Sequence, residues 1–349
     1  MNTYLTEARS LVAEHLTDYL MEAKQQTLTF RPWGEDVARR VNEYSLRGKM
    51  IRGALVGFSY RLFHPDEPLP RSCIEAGVAM ELLQSFLLIH DDIMDQDELR
   101  RGGPSIHTQY RTEAPRAGGA EQYGLSLGIC AGDISAFLAM ERLATMDAED
   151  SLRNRVVALV AREISLVGLA QMQDVHHGYV DVADDQTILN VYTYKTGRYT
   201  FSLPLMIGAI LAGAEDAAVE QLARFGEHAG RIFQIRDDQL GLFGPGDRIG
   251  KPEGSDIRED KKTPFRNALM DCLPLDSPVR LTFGAPSLSS ADIEAVRNAL
   301  EECGVMTAVE NAVTRDEQAA RAQIAALSLT PDGTQALEEL LEYNLKRTV

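Results

Sequence analysis

The sequence is poor in cysteine, tryptophan and basic residues, and it has almost no strand-like alternation. Its 349 residues include four cysteines and one tryptophan. Cys73, Cys130, Cys272 and Cys303 form no C-x-x-C pair, and their spacing suits neither zinc nor a dense disulfide framework. Reduced, buried thiols in a cytosol are the expectation. Lys plus Arg number 35 against 52 Asp plus Glu, a formal net charge of -17. A nucleic-acid binder needs a basic footprint, so that class is excluded. The N-terminal MNTYLTEARSLVAEHL mixes charged with apolar residues and lacks an apolar core, so no signal peptide is expected. The longest apolar stretches, Leu82–Ile89 and Leu203–Ala214, fall short of the roughly 20 residues of a spanning helix. No transmembrane segment and a cytoplasmic location are the expectation.

What is present is helical periodicity. Residues 4–24, 35–63, 72–97, 122–146, 151–180, 186–214, 216–243, 289–303 and 306–345 carry apolar residues at i, i+3, i+4 and i+7. Val279–Phe283 is an isolated strand candidate. Pro65, Pro68 and Pro70 separate two helices, Gly102-Gly103-Pro104 ends another, and Ala114–Gly119 reads as a loop. Gly244-Pro245-Gly246-Asp247 reads as a turn. Ser289 with Asp292 predicts a capped helix start. The fold class expected is all-α, one large helical domain over residues 1–349. The 44% hydrophobic content is ordinary for a globular chain.

Two acidic motifs interrupt this pattern. Asp91-Asp92-Ile93-Met94-Asp95 follows the apolar ELLQSFLLIH, and Asp237-Asp238-Gln239-Leu240-Gly241 follows RIFQIR. Residues i and i+4 share a helix face, so Asp91 and Asp95 present two carboxylates in one direction. Like charges there destabilise a bare helix, and a hard cation reverses the cost. Mg²⁺ takes one or two carboxylates and completes its shell with phosphate oxygens and water. Basic residues follow each motif: Arg100-Arg101 after the first, Lys251 and Lys261-Lys262 after the second. The combination predicts a metal-bridged polyphosphate site. His90, His107 and His176-His177 match no metal-ligand pattern and read as structural or solvent-facing. Gly244–Lys251 is not a phosphate loop, because its glycines are misspaced and Pro252 stands where Ser or Thr is needed.

The ordered set of motifs resembles the trans-isoprenyl diphosphate synthases, geranylgeranyl diphosphate synthases in particular. It runs through Gly48-Lys49-Met50-Ile51-Arg52, Glu81 to Asp95, Arg100-Arg101-Gly102, Gln171 to Asp174, Lys195-Thr196, Phe233 to Asp238, Gly250-Lys251 and Asp256 to Lys261. The resemblance implies an all-helical homodimer with a deep apolar cavity in each subunit. It implies Mg²⁺, three ions with substrate bound, held by Asp91 and Asp95 from one wall and Asp237 from the other. Asp92 and Asp238 are auxiliary, and Asp174 and Asp256 orient metal waters. Arg100, Lys195, Gln234, Lys251 and Lys261 are implied to hold an allylic diphosphate. Lys49, Arg52, Gln84 and Arg101 are implied to hold isopentenyl diphosphate, with Gln84 where the family often has histidine. The backbone carbonyl near Lys195 and the Thr196 hydroxyl are implied to stabilise an allylic cation.

Phe86 and Leu87 precede Asp91 by five and four residues, where the family places the floor that stops chain growth. An aromatic at the earlier position alone implies a C20 product, geranylgeranyl diphosphate; a farnesyl or longer polyprenyl product is the alternative. A terpene cyclase needs no isopentenyl site, so Lys49, Arg52 and Arg101 argue against it. The aspartates at 91, 95 and 237 argue against a non-catalytic subunit. One departure stands out: Gly241 occupies the place of the family's third aspartate in the second motif.

Overall fold

A computed structural model describes residues 3–26, 28–244 and 253–346. Helices make up nearly all of it. In order they are α1 (Thr3–Gln26), α2 (Trp33–Leu46), α3 (Ile51–Phe63), α4 (Arg71–Met94), α5 (Ile106–Thr112), α6 (Ala120–Ala144), α7 (Asp150–His177) and α8 (Asp185–Val191). A π-helical segment, Tyr192–Ser202, then leads into α9 (Leu203–Leu211) and α10 (Asp216–Phe243). The rest are α11 (Ser255–Arg258), α12 (Pro264–Cys272), α13 (Ser290–Glu302), α14 (Val305–Ala326) and α15 (Pro331–Leu345). Among the described residues the only sheet is a hairpin, β1 (Leu99–Arg100) against β2 (Gly103–Pro104).

Two compact units emerge. One comprises Met1–Val160 with Pro204–Val219, the other Ala161–Leu203 with Glu220–Val349. In the first, α4 is the core helix: it packs on α1, α3 and α6, and its residues from Ser72 to Ser85 are buried. Each large aliphatic side chain so buried contributes about 1.5–3 kcal/mol. In the second, α12, α13 and α14 pack on one another, and α12 also packs on α8. Asn267 of α12 donates to the Ala183 carbonyl and to Asp185, which fixes the start of α8.

The helical periods predict these elements well, with physically explicable departures. The expected helix over 35–63 opens at residues 47–50, because Met50 adopts a left-handed backbone (φ 51°) and Gly48 gives its side-chain space to an arginine from the hairpin. The expected helix over 306–345 divides before Pro331, where Thr330 caps α15 by accepting from the Gly333 N–H. Val279–Phe283 is not a strand: Pro278–Thr282 is a 3-10 turn. Ser289 and Asp292 form the capping box that their spacing predicts.

One further expectation needs correction. Cys272 and Cys303 form a disulfide, so reduced thiols describe only Cys73, which is buried, and Cys130, which is exposed. The return of α13 to α12 puts their Cα atoms 6.1 Å apart, a closeness that sequence spacing does not reveal. Three helices, Arg71–Met94, Ala120–Ala144 and Asp150–His177, are long and apolar enough to cross a membrane by length and composition. Scattered charges hide them from a search for uninterrupted apolar runs, and the first has 83% of its apolar window buried within the fold. The turn expected at 244–247 extends outside the described residues.

Candidate active site

The first acidic motif is the C-terminal turn of α4. The Asp95 N–H bonds the Asp91 carbonyl at 2.8 Å, closing that turn. No basic residue occupies it. A helix C-terminus carries partial negative charge, so carboxylates gathered there cost stability that a cation offsets. The two adjacent aspartates differ sharply. Asp91 is half-buried and Asp95 exposed, whereas Asp92 is 0% exposed. Asp92 accepts from the Tyr44 hydroxyl at 2.7 Å and from Arg100 Nε at 2.5 Å. Arg100 also donates to Asp97 at 2.8 Å. Burial pushes the Asp92 carboxyl up, against the pull of Arg100. Burial and the Asp92 charge together push the Tyr44 phenol up, so it stays a donor.

The hairpin that carries Arg100 turns on Arg101 and Gly102, both at positive φ (53° and 73°), the backbone of a two-residue hairpin loop. This aims the Arg101 guanidinium back at α2–α3: a Cβ on Gly48 would lie 2.2 Å from Arg101 Nη1. Glycine at 48 is thus what lets Arg101 rest beside Lys49. Arg52 follows in the first turn of α3. Next to it the Gly53 N–H donates to Glu81 of α4 at 2.7 Å. Burial pushes the Glu81 carboxyl up, while that bond and the charges of Arg52 and Arg101 pull it down. Gln84, one turn on, is buried, and its Oε1 accepts no hydrogen bond from the described residues. Arg52, Gln84 and Arg101 therefore belong to one neighbourhood of the first unit, and Lys49 follows Gly48 in the chain.

In the second unit a chain of hydrogen bonds runs from the π segment to α10. Gly197 lies on α10 at Gly230, where a Cβ would meet the Gly197 Cα at 2.1 Å. Arg198 anchors the same segment to Glu163, at 2.8 and 2.6 Å, and to Glu227. Leu203 N–H bonds the Arg198 carbonyl, the i to i+5 pattern of a π-helix, which is common at functional sites. So placed, the Thr196 hydroxyl donates to Gln234 Oε1 at 2.8 Å. Gln234 Nε2 donates to Asp238 at 3.0 Å. Lys195 donates to Asp174 at 2.6 Å.

Asp238 is the hub of this unit. It is 1% exposed and accepts from the Tyr192 hydroxyl and from Lys261 Nζ, the latter at 2.8 Å. Burial pushes its carboxyl up to about 6, the Lys261 charge pulling against it. Burial lowers the Lys261 ammonium, but Asp238 and Asp256 more than offset that and raise it. Its neighbour Asp237 is exposed. The two motifs thus share a plan. The first aspartate of each pair keeps access to solvent, Asp91 half-buried and Asp237 exposed. The second is buried and held by a tyrosine and a cation: Tyr44 and Arg100 for Asp92, Tyr192 and Lys261 for Asp238.

The missing third aspartate also finds a physical reason. A Cβ on Gly241 would lie 2.5, 2.6 and 2.7 Å from Oδ2, Cγ and Oδ1 of Asp256. The Asp256 carboxylate fills the space above residue 241 and lies 3.8 Å from Lys261 Nζ. Any side chain at 241 displaces it.

Among the described residues, no three His, Cys, Asp or Glu side chains converge into a ready metal cage. Carboxylates next to Asp92 and Asp238, each of which is itself paired with a cation, fit instead a hydrated divalent ion that takes only one or two protein oxygens.

The family model for polyprenyl synthetases matches residues 35–299. The chain belongs to the polyprenyl synthetase family. The geranylgeranyl diphosphate synthase of Sulfolobus acidocaldarius is 36% identical over 221 residues, covering 62% of this chain and 61% of that protein. The geranylgeranyl pyrophosphate synthase of Geoglobus acetivorans is 30% identical over 301 residues, 86% of this chain and 87% of that one. A crystal structure of geranylgeranyl pyrophosphate synthase from Corynebacterium glutamicum, complexed with isoprenyl diphosphate and magnesium, superposes with a TM-score of 0.85. It is 25% identical and covers 97% of this chain and 99% of that chain.

Within this polyprenyl synthetase the structure adds residues that spacing did not reveal. Tyr44 and Tyr192 lie 48 and 46 residues from the aspartates they bond. Glu81 was visible only as part of a longer motif, and Asp97 not at all. Phe86 and Leu87 are half-buried on α4. His107 and His177 are buried and bonded to Ser105 and Thr187, in keeping with structural roles. Lys251 lies outside the described residues.

Proposed function

We propose that the chain condenses isopentenyl diphosphate head to tail with an allylic diphosphate and releases geranylgeranyl diphosphate. One observation carries this reading beyond the family. Arg52 and Arg101 both act on the buried Glu81 of α4, one turn from the unpaired Gln84 Oε1, and this supports a basic and polar pocket for a second diphosphate that a cyclase would not need. Asp91, Asp95 and Asp237 would hold magnesium, three ions with substrate bound, and Asp174 and Asp256 would orient their waters. Bound magnesium supplies Lewis-acid neutralisation of the leaving diphosphate.

The chain's own groups do the rest. Lys195, Gln234, Lys261 and Lys251 bind the allylic diphosphate, together with Arg100, and lower the cost of its departure as the C–O bond ionises. Thr196 and backbone near Lys195 face the positive carbon. Asp92 and Asp238 act by holding Arg100, Lys261 and Gln234 in place. Lys49, Arg52, Gln84 and Arg101 orient isopentenyl diphosphate so that its terminal double-bond carbon attacks. The proton lost afterwards goes to the departed diphosphate, so no protein base is required. Phe86, with Leu87 beside it, ends chain growth at C20.

The same proposal takes residues 1–349 as one synthase domain working in the cytoplasm as a homodimer. Exposed Ile129, Ile134 and Phe137 on α6, the last 75% exposed, support a second copy as the cover of that face. The testing experiment incubates purified protein with Mg²⁺, isopentenyl diphosphate and dimethylallyl, geranyl or farnesyl diphosphate. A C20 diphosphate is expected; a hydrocarbon formed without isopentenyl diphosphate would replace this reading with a cyclase.

A further inference from the structure

Two aromatic rings stand one turn apart on α4, just before the first acidic motif. Phe86 and His90 meet edge to face, their centroids 4.9 Å apart and their planes at 71°. Positions i and i+4 share a helix face, so both rings look the same way. The His90 ring is seated on α6: its Nε2 lies 3.3 Å from the Ile129 carbonyl and 3.4 Å from an Asp133 carboxylate oxygen. The seat exists because residue 132 has no side chain. A Cβ on Gly132 would stand 2.5 Å from both Cδ2 and Nε2 of His90. One side of the imidazole therefore rests on bare backbone, its nitrogen is tethered to α6, and its ring meets Phe86.

We propose that His90, seated on Gly132, is a positioning residue for product length: it fixes the Phe86 ring that stops chain growth. The proposal rests on the reading of Phe86 as the floor. A phenyl ring half-buried on a helix has alternative rotamers. The His90 ring selects one of them. With that ring withdrawn, Phe86 swings and admits a further five-carbon unit. An edge-to-face contact of this kind shifts the balance between stopping and extending by about three- to tenfold. His90 touches no reacting atom in this account, and its influence passes through Phe86 alone.

The test compares product chain lengths, with Mg²⁺, isopentenyl diphosphate and farnesyl diphosphate, for the native chain and five variants: Phe86→Ala, His90→Ala, His90→Phe, Gly132→Ala, and His90→Ala combined with Phe86→Ala. Circular dichroism confirms that each is folded. Phe86→Ala should lengthen the product. His90→Ala and Gly132→Ala, which unseat the ring in different ways, should raise the share beyond C20 by about three- to tenfold. His90→Phe keeps an aromatic ring on Phe86 and should keep C20. The double variant should match Phe86→Ala. A native distribution in both His90→Ala and Gly132→Ala, with Phe86→Ala lengthened, overturns the role of His90. A double variant longer than Phe86→Ala also overturns it, since His90 would then act on its own. An unchanged product from Phe86→Ala overturns the floor itself, and an absence of any prenyl product overturns the proposed function.

Discussion

Replacing Gly241 by alanine would bring a methyl carbon to 2.5–2.7 Å from all three atoms of the Asp256 carboxylate. Carbon does not approach a carboxylate so closely, and Asp256 is 7% exposed, with little room to turn. The carboxylate must therefore move, and its 3.8 Å approach to Lys261 is lost. Overpacking of this kind costs about 1–3 kcal/mol of stability. The functional cost is larger, because a displacement of about 1 Å at a site that positions substrate loses about a hundredfold in rate. Gly241→Asp, which restores the residue expected from the family resemblance, should be at least as harmful, since two carboxylates would compete for one space. The exchange variant, Gly241→Asp with Asp256→Gly, should regain part of the loss. Steady-state turnover across a Mg²⁺ titration, with thermal melting in parallel, measures both effects. Native turnover and native Mg²⁺ dependence in Gly241→Ala would refute the reasoning, as would a gain of activity in Gly241→Asp.

Asp91→Ala or Asp237→Ala should abolish condensation while leaving circular dichroism and melting near native, because both side chains reach solvent and neither is the hub of its hydrogen-bond network; near-native turnover in either would sink the metal assignment. Tyr44→Phe removes a buried hydrogen bond to a carboxylate and should cost about 1.5–3 kcal/mol in denaturant unfolding, with a larger loss of turnover than of substrate affinity if Arg100 drifts. Cys303→Ser opens a covalent loop of sequence separation 31, which should lower stability by about 3–4 kcal/mol; identical melting with and without reductant would show that the bridge does not form in solution.

The all-helical architecture was legible because burial imposes a 3.6-residue period on the sequence, and α1, α4, α6, α7 and α10 follow it closely. The period says nothing about winding: Tyr192–Ser202 reads as ordinary helix, yet close contact of Gly197 with Gly230 accompanies a wider π turn there. Nor does it find short elements. The hairpin at 99–104 has two-residue strands, too short for alternation to register. In the candidate site, the acidic and basic residues were legible by type and order. Their partners were not, because Tyr44 and Tyr192 reach Asp92 and Asp238 only through the packing of distant helices. The Cys272–Cys303 pair was hidden for the same reason. Gly241 read as a defect in sequence and is an accommodation in space, since the carboxylate it makes room for lies 15 residues downstream.

The central claim is that this chain adds isopentenyl units to an allylic diphosphate and stops at C20. Its most direct measurement is the chain length of the product formed by the purified protein from farnesyl diphosphate, isopentenyl diphosphate and Mg²⁺. The account predicts geranylgeranyl diphosphate as the dominant product, lost when Mg²⁺ is chelated. Unextended farnesyl diphosphate, or a cyclised hydrocarbon made without isopentenyl diphosphate, would contradict it.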